Sequence, residues 1–444
     1  MLRGLTSFFN RIVQRYLPDA FLFAIILTFI AYVLGVLFTD SGPMQMVEHW
    51  GTGFWDLLAF AMQMSLIVVT GYILANSPLI KGFLQRISTL ANTPGQAILL
   101  VTIVASIACL INYGFGLVVG ALLALHVAKR IPSVDYRLLI ASAYSGFLLW
   151  HGGMSGSIPL TIATDDHFLA DILGNVPITE TLFSGMNLFI VLILLVTLPL
   201  MNWLMNRSSD DTGTIDPQFL NAQMVSTEVE DRDVKEDMTP AERLENSQVV
   251  SLIIGVLGLV FITLHFVQNG LDININIVNF IILFLGILLH RTPRRFLNVL
   301  SDAVKNAGGI IIQFPFYAGI MGMMVASGLS EQMSIWFVNI SNEVTYPLFA
   351  FLSAGIVNFF VPSGGGQWAV QGPIMIPAAL DLGVDTAKTA MAVAWGDAWT
   401  NMIQPFWALP LLAIAGLKVK DIMGFCMVIL LWSFIPISLA LLFF

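Results

Sequence analysis

Two ionisable side chains, His151 and Asp397, stand in otherwise apolar, glycine-punctuated text. One lies in His151-Gly152-Gly153-Met154-Ser155-Gly156-Ser157. The other opens a stretch that runs from Gly396-Asp397 through Asn401 to Gln404-Pro405. Ionisable groups inside a membrane are costly and usually line a pathway or a relay. A carboxyl there suits a cation ligand or a protonatable coupling group, and an imidazole beside a helix break can share that work. The alternative for each is a hydrogen-bonded or packed side chain with no chemical role. Two further polar interruptions are Asn112-Tyr113-Gly114-Phe115-Gly116 and Val361-Pro362-Ser363-Gly364-Gly365-Gly366-Gln367. Backbone carbonyls at such tips, with side-chain oxygens of Asn112, Asn358 and Ser363, suit a Na⁺ ion. The glycines at 364–366 let backbone approach a ligand closely, or make only a tight turn.

No Lys or Arg lies deep in either half, so a dianion would find no fixed cationic partner. One small carboxylate could still be held by half-helix N-termini and neutral donors. The candidate substrate residues are Asn112, Gly114, Gly116, Ser155, Ser157, Asn358, Ser363, Gly364, Gly365, Gly366, Gln367, Asn401 and Gln404. The candidate coupling residues are Asp397, Asn112, Asn358, Ser363 and His151. Trp150, Trp368, Trp395, Trp399 and Trp407 could wall a short acyl tail or serve as core and interface anchors. Cys109 and Cys426 read as packing thiols, and no Cys/His cluster has metal-ligand spacing. No cofactor is expected beyond a coupling ion, Na⁺ or H⁺, and no nucleic acid partner.

The elements that must position these residues are membrane helices. The 444-residue chain is 57% hydrophobic and 11% charged, less than half the charge of a typical soluble domain. Its long apolar runs lack the two-residue alternation of a barrel, so the lipid bilayer is its solvent and the fold class is an all-α polytopic membrane protein. The formal charge of −9 seems averse to anions. However, residues 206–246 hold eleven acids against four bases, a net of −7, which leaves −2 for the remainder. The acidity belongs to one polar linker. The absence of a P-loop excludes a fused ATP motor, so any pumping is secondary.

Full-length spans are expected at 18–38, 54–76, 136–163, 182–205, 247–267, 274–290, 308–327, 386–415 and 421–443. The first, preceded by Arg3, Arg11 and Arg15, is too long for a signal-peptide core and reads as a retained helix. Two stretches, 96–128 and 345–380, divide into arms of only about 18–24 Å at 1.5 Å per residue and read as re-entrant hairpins. The second is broken again by Pro373 and Pro377. With a cytoplasmic N-terminus, 18 of the 19 Lys and Arg fall inside, Lys388 excepted. The C-terminus then lies outside.

Self-similarity organises these elements. Gln63 to Ser77 and Gln313 to Ser327 share their spacing. Ala143-Tyr144 with Ile158-Pro159-Leu160 recurs as Ala394-Trp395 with Leu409-Pro410-Leu411, and Ile111-Asn112-Tyr113 as Val357-Asn358-Phe359. Residues 1–205 and 274–444 therefore read as repeats, joined by the linker 206–246 and a connector helix 247–267. An odd number of crossings separates them, so they are inverted. Inverted repeats with paired discontinuous helices are the pattern of secondary transporters, whose substrate lies where the breaks expose half-helix ends.

The motifs Gly53-Phe54-Trp55-Asp56-Leu57-Leu58-Ala59-Phe60, Ile111 to Gly120, Val361 to Trp368 followed by Gln371-Gly372-Pro373, and Gln404 to Pro410 carry a resemblance. From about residue 7 to the C-terminus the chain resembles the bacterial short-chain fatty acid transporter family. That resemblance implies uptake of small monocarboxylates such as acetoacetate or butyrate across the bacterial inner membrane. It also implies kinship with the wider ion transporter superfamily, in which hairpins and broken helices form an elevator-type transport domain, commonly in homodimers. Two other readings remain at this point. One is a passive monocarboxylate channel. The other is an intramembrane serine protease, because Gly153-Met154-Ser155-Gly156 matches a Gly-x-Ser-Gly motif that needs a histidine base.

Overall fold

The computed structural model describes residues 20–206, 238–404 and 406–444; most of the acidic linker, the N-terminal arginines and Pro405 lie outside them. Among the described residues the chain is helical, with no strand. The first half comprises α1 (Ala20–Phe38), α2 (Pro43–Gly53), α3 (Leu58–Ala75), α4 (Pro78–Ile87), α5 (Pro94–Ile111), α6 (Tyr113–Arg130), α7 (Tyr136–Ser145), a 3-10 segment (Gly146–Gly152), α8 (Ser157–Ile162) and α9 (Gly185–Met205). After the peripheral α10 (Gln248–Asn269), the second half comprises α11 (Ile275–His290), α12 (Pro293–Lys305), α13 (Gly308–Ala326), α14 (Leu329–Ile340), α15 (Tyr346–Val357), α16 (Gly364–Leu382), α17 (Thr386–Thr400), α18 (Ala408–Ala415) and α19 (Val419–Phe443). Eight of the described helices are long and apolar enough to cross a membrane: α1, α3, α5, α6, α9, α10, α13 and α19. The protein is thus an all-α, multi-pass membrane protein.

The two halves pack reciprocally. Helix α1 lies on α13 while α11 lies on α3, and α2 lies on α13 while α12 lies on α3. Likewise α8 packs on α16 and α18 on α6, so each half's second hairpin arm receives the other half's interrupted helix. Most side chains of α10 are exposed, as suits a helix facing lipid. It approaches α11 closely at Gly255 and Gly258, where a Cβ would overlap Leu288 and Phe284, and through the Phe261–Phe280 ring contact.

The structure corrects several sequence-based boundaries. Segments between spans that read as loops form α2, α4, α12 and α14, helices of 10 to 13 residues. Helices α4 and α12 carry Lys81 and Arg86, and Arg294, Arg295 and Lys305, opposite apolar faces, a surface-lying pattern that span-length reasoning overlooks.

The first hairpin has longer arms than expected. Helices α5 and α6 are 18 residues each, about 27 Å, and only Asn112 separates them. Gly114 and Gly116 are helical and serve close packing. A Cβ on Gly116 would overlap Cys109 Sγ, and one on Gly114 would lie 3.1 Å from the Val68 carbonyl. Helix α16 runs unbroken for 19 residues through Pro373 and Pro377, since proline is tolerated within helices buried in a membrane bundle. Gly364 to Gln367 form its first turn rather than a loop.

Candidate functional site

The first interrupted helix opens where expected. Residues 153–156 separate the 3-10 segment from α8, and hairpin α5–α6 pins this break. The Met154 N–H donates to the Leu110 carbonyl at 2.7 Å and the Tyr113 N–H to Ser155 Oγ at 2.8 Å. A Cβ on Gly153 would overlap the Leu110 carbonyl, so only glycine admits this approach. In the second half Gly396 and Asp397 stay helical, and the chain opens only between Thr400 and Ala408. Gly396 is there for contact. A Cβ would overlap the Phe351 carbonyl and lie 2.7 Å from Ala354 Cβ, where α17 crosses α15.

The two interrupted helices meet through their ionisable residues. His151 Nε2 lies 3.1 Å from Asp397 Oδ2, and both side chains are fully buried. Asn401 Nδ2 donates to the same carboxylate oxygen at 3.1 Å and to the Asp397 carbonyl at 2.8 Å. Asn358, the residue after α15, donates to the Asp397 carbonyl at 3.0 Å and to Thr400 Oγ1 at 2.9 Å. The first turn of α16 closes the site from a third direction. A Cβ on Gly364 would overlap His151 Nε2 and lie 2.5 Å from Ser157 Oγ. Ser363 caps this helix, its Oγ accepting from the Gly366 N–H at 3.4 Å.

Several polar atoms at this junction are buried without a protein partner: His151 Nδ1, Ser157 Oγ, Asp397 Oδ1, Asn358 Oδ1, Asn401 Oδ1 and Gln367 Oε1. Buried polar groups are normally satisfied, so such a concentration marks a place for a ligand, an ion or water. Most are oxygen acceptors, a donor set that fits a small hard cation, while Ser157 and the α16 N-terminus fit an anion.

The remaining sequence-predicted residues make contacts of their own. Asn112 caps α6 by accepting from the Phe115 N–H at 2.9 Å, and its Nδ2 donates to the Ile67 carbonyl at 3.2 Å, which ties the first hairpin to α3. Gln367 Nε2 donates to the Ala354 carbonyl at 2.9 Å and to Gln371 Oε1 at 2.7 Å. Gln404 Oε1 accepts from the Phe406 N–H at 2.8 Å. Gly365 abuts Phe60 and Met64, and Gly366 abuts Tyr317.

Of the tryptophans, Trp150 flanks the His151 ring at 3.7 Å between centroids and meets Tyr113, which in turn meets Trp407. Trp399 donates to the Leu430 carbonyl and packs with Phe351 and Phe434, away from the pair. Trp368 is fully buried on α16.

Sequence reasoning missed Asn187. From α9 it donates to the Gly152 carbonyl at 3.1 Å and the Leu182 carbonyl at 2.8 Å, and it accepts from Trp395 Nε1 at 3.1 Å, so one amide grips both interrupted helices. Its signal was an amide, one of two with Asn202, inside the apolar run 182–205. Tyr144, whose hydroxyl donates to the Asn401 carbonyl at 2.7 Å, was noticed only for its repeat position.

A cavity of about 180 Å³ approaches the junction from the side of the 163–184 loop, lined by Asp56, Phe60, Gln63, Thr161, Thr164, Asp165, Asp166 and His167 among others. Phe60 forms its boundary with Gly365, and Thr161 lies one turn beyond Ser157 on α8.

An all-helical membrane bundle with partnerless polar atoms buried between two interrupted helices is the build of a transporter. The family comparison agrees: the chain belongs to the short chain fatty acid transporter family, whose model matches residues 1–444. It is 47% identical over 433 residues to a protein of Escherichia coli (strain K12) that carries the provisional name short-chain fatty acid transporter, with 98% of each chain covered. A Haemophilus influenzae protein of the same provisional name is 46% identical over 440 residues, again with 98% of each covered. Among solved structures, the Alcanivorax borkumensis YdaH transporter, described as having an unusual topology, superposes with a TM-score of 0.60. That match covers 95% of this chain and 98% of the other at 15% identity, a likeness of fold alone.

Proposed function

We propose that this protein takes up short-chain monocarboxylates, such as acetoacetate or butyrate, by symport with a cation, Na⁺ or H⁺, across the bacterial inner membrane. The observation that carries the reading is the meeting of the α16 N-terminus with Ser157 and His151 beside the buried Asp397. Helix N–H groups and a hydroxyl bind one carboxylate without fixed positive charge. Among the described residues no Lys or Arg pairs with Asp397 or lines the cavity beside it, so a second carboxylate would lack a cationic partner. The aromatic group of Tyr113, Trp150 and Trp407 supplies an apolar wall for a short acyl tail.

An anion entering such a site brings one uncompensated charge, and coupling to a cation removes that cost. The cavity facing the 163–184 loop is lined by Asp56, Asp165 and Asp166 and by no basic side chain other than His167, which favours arrival of cations and so supports symport. The repeated order of elements and the reciprocal packing of the halves support an inverted repeat, with the hairpins and interrupted helices moving together as an elevator-type unit, in a homodimer. The N-terminus would be cytoplasmic and the C-terminus periplasmic. Transport rather than hydrolysis is favoured because Ser155 Oγ is committed to the Tyr113 N–H.

The test is competition. Uptake of labelled acetoacetate into cells expressing the protein should be displaced by butyrate and left intact by equimolar succinate. Equal displacement by succinate would contradict a single-carboxylate site.

A further inference from the structure

We infer that the coupling ion is the proton, one per monocarboxylate, and that it is carried by the His151–Asp397 pair. This inference rests on the monocarboxylate reading above and adds the identity and route of the ion. The pair joins the two interrupted helices, with Nε2 3.1 Å from Asp397 Oδ2 and both side chains fully buried. The same Nε2 borders the first turn of α16, where a Cβ on Gly364 would overlap it and lie 2.5 Å from Ser157 Oγ. The pair therefore packs directly against a helix N-terminus, whose partial positive charge would draw a substrate carboxylate towards it.

Its consequence follows from charge. With the site empty, a neutral imidazole beside an aspartate carries one negative charge in all, held by the bonds of His151 and Asn401 to Asp397 Oδ2. A substrate anion arriving beside it adds a second buried negative charge, which is costly in the interior, and protonation of the pair offsets it. The loaded site then holds the protonated pair and the substrate anion, with the same net charge as the empty site. The proton enters with the anion and leaves with it, so one charge of each sign crosses per cycle.

A structural ion pair would have its outer atoms satisfied. Here His151 Nδ1 and Asp397 Oδ1, one on either side of the shared hydrogen bond, have no protein partner, and these are the atoms through which a proton would be gained and lost. The titratable groups facing the pair are the hydroxyls of Tyr113 and Tyr144. Among the described residues no Lys, Arg or second carboxylate forms an ion pair with either member.

The experiment uses the full chain in proteoliposomes, with labelled acetoacetate, and subtracts flux into protein-free liposomes because the neutral acid permeates. An inward proton gradient without Na⁺ should drive accumulation, with one proton taken up per acetoacetate and no effect of an imposed membrane potential. An inward Na⁺ gradient at equal pH should drive none. In Asp397→Asn, accumulation under the proton gradient should disappear and any remaining exchange should lose its pH dependence. If that variant does not fold, the proton count on the unaltered protein decides alone. Accumulation driven by Na⁺ and not by protons would overturn this inference and leave the monocarboxylate reading standing. Accumulation under neither gradient would overturn both. Proton-driven accumulation that survives in Asp397→Asn would remove the pair from the route.

Discussion

Gly364 and Ser157 approach so closely that a Cβ on the glycine would lie 2.5 Å from the serine Oγ while overlapping His151 Nε2. The α16 N-terminus and α8 thus pack too closely there to admit a methyl group. Gly364→Ala should lower acetoacetate uptake at least about tenfold, equivalent to about 1.4 kcal/mol of lost binding. The overpacking itself should cost about 1–3 kcal/mol of stability. Gly51→Ala on α2, where a Cβ meets nothing within 4 Å, is the matched control. It should leave uptake unchanged and raise stability by about 0.5–1 kcal/mol. Initial uptake rates and thermal unfolding in detergent measure both.

Asn187 is predicted to be the most sensitive polar residue of α9. Asn187→Leu would strand the Gly152 and Leu182 carbonyls and the Trp395 indole N–H, all bonded by this amide. Since each buried unsatisfied group costs about 1–3 kcal/mol, the loss should reach about 3 kcal/mol. Leu192→Ala on the same helix, at a side chain 61% exposed, should change the unfolding temperature little. Equal effects would deny Asn187 its linking role.

Ser155 should behave as a strut. Removing its Oγ leaves the buried Tyr113 N–H without the 2.8 Å bond it now makes, so Ser155→Ala should lose about 1–3 kcal/mol. Peptidase activity in the unaltered protein, abolished by this substitution, would reverse that assignment.

The loop before α9 should loosen in acid. His167 Nδ1 accepts from the Leu169 N–H at 3.2 Å, and Nε2 faces the Gly174 carbonyl at 2.8 Å, an arrangement that requires the neutral ring. Burial holds its pKa below the ordinary histidine value of 6.5, with the Gly174 bond opposing in part. Because the folded pKa is the lower one, the opened loop takes up a proton first. Stability is therefore complete above about pH 6.5 and declines as pH falls towards the lowered value. Limited proteolysis of residues 163–184 should accelerate between pH 7.5 and 5, and His167→Gln should flatten that dependence. Cleavage rates independent of pH in the unaltered protein would contradict it.

Much of the site was legible because membrane-depth polarity is scarce. His151 and Asp397 stood out as the ionisable residues within apolar spans, and the glycines at 152, 153 and 156 located the first break. That these two residues touch was not legible, since 246 positions separate them and no local pattern records a contact between interrupted helices. Pro373 and Pro377 misled, because proline signals a helix end in water but not in a packed bundle. Helices α2, α4, α12 and α14 escaped notice because their amphipathic periods are too short to span and resemble polar loops. Asn187 was hidden by the apolar run around it.

The central claim is coupled transport of a small monocarboxylate. Its most direct test is the steady-state ratio of labelled acetoacetate inside to outside in proteoliposomes of the purified protein, after an inward cation gradient is imposed and protein-free liposomes are subtracted. The account predicts a ratio well above one that collapses when an ionophore dissipates the gradient. A ratio that never exceeds one under either a Na⁺ or a proton gradient would contradict it.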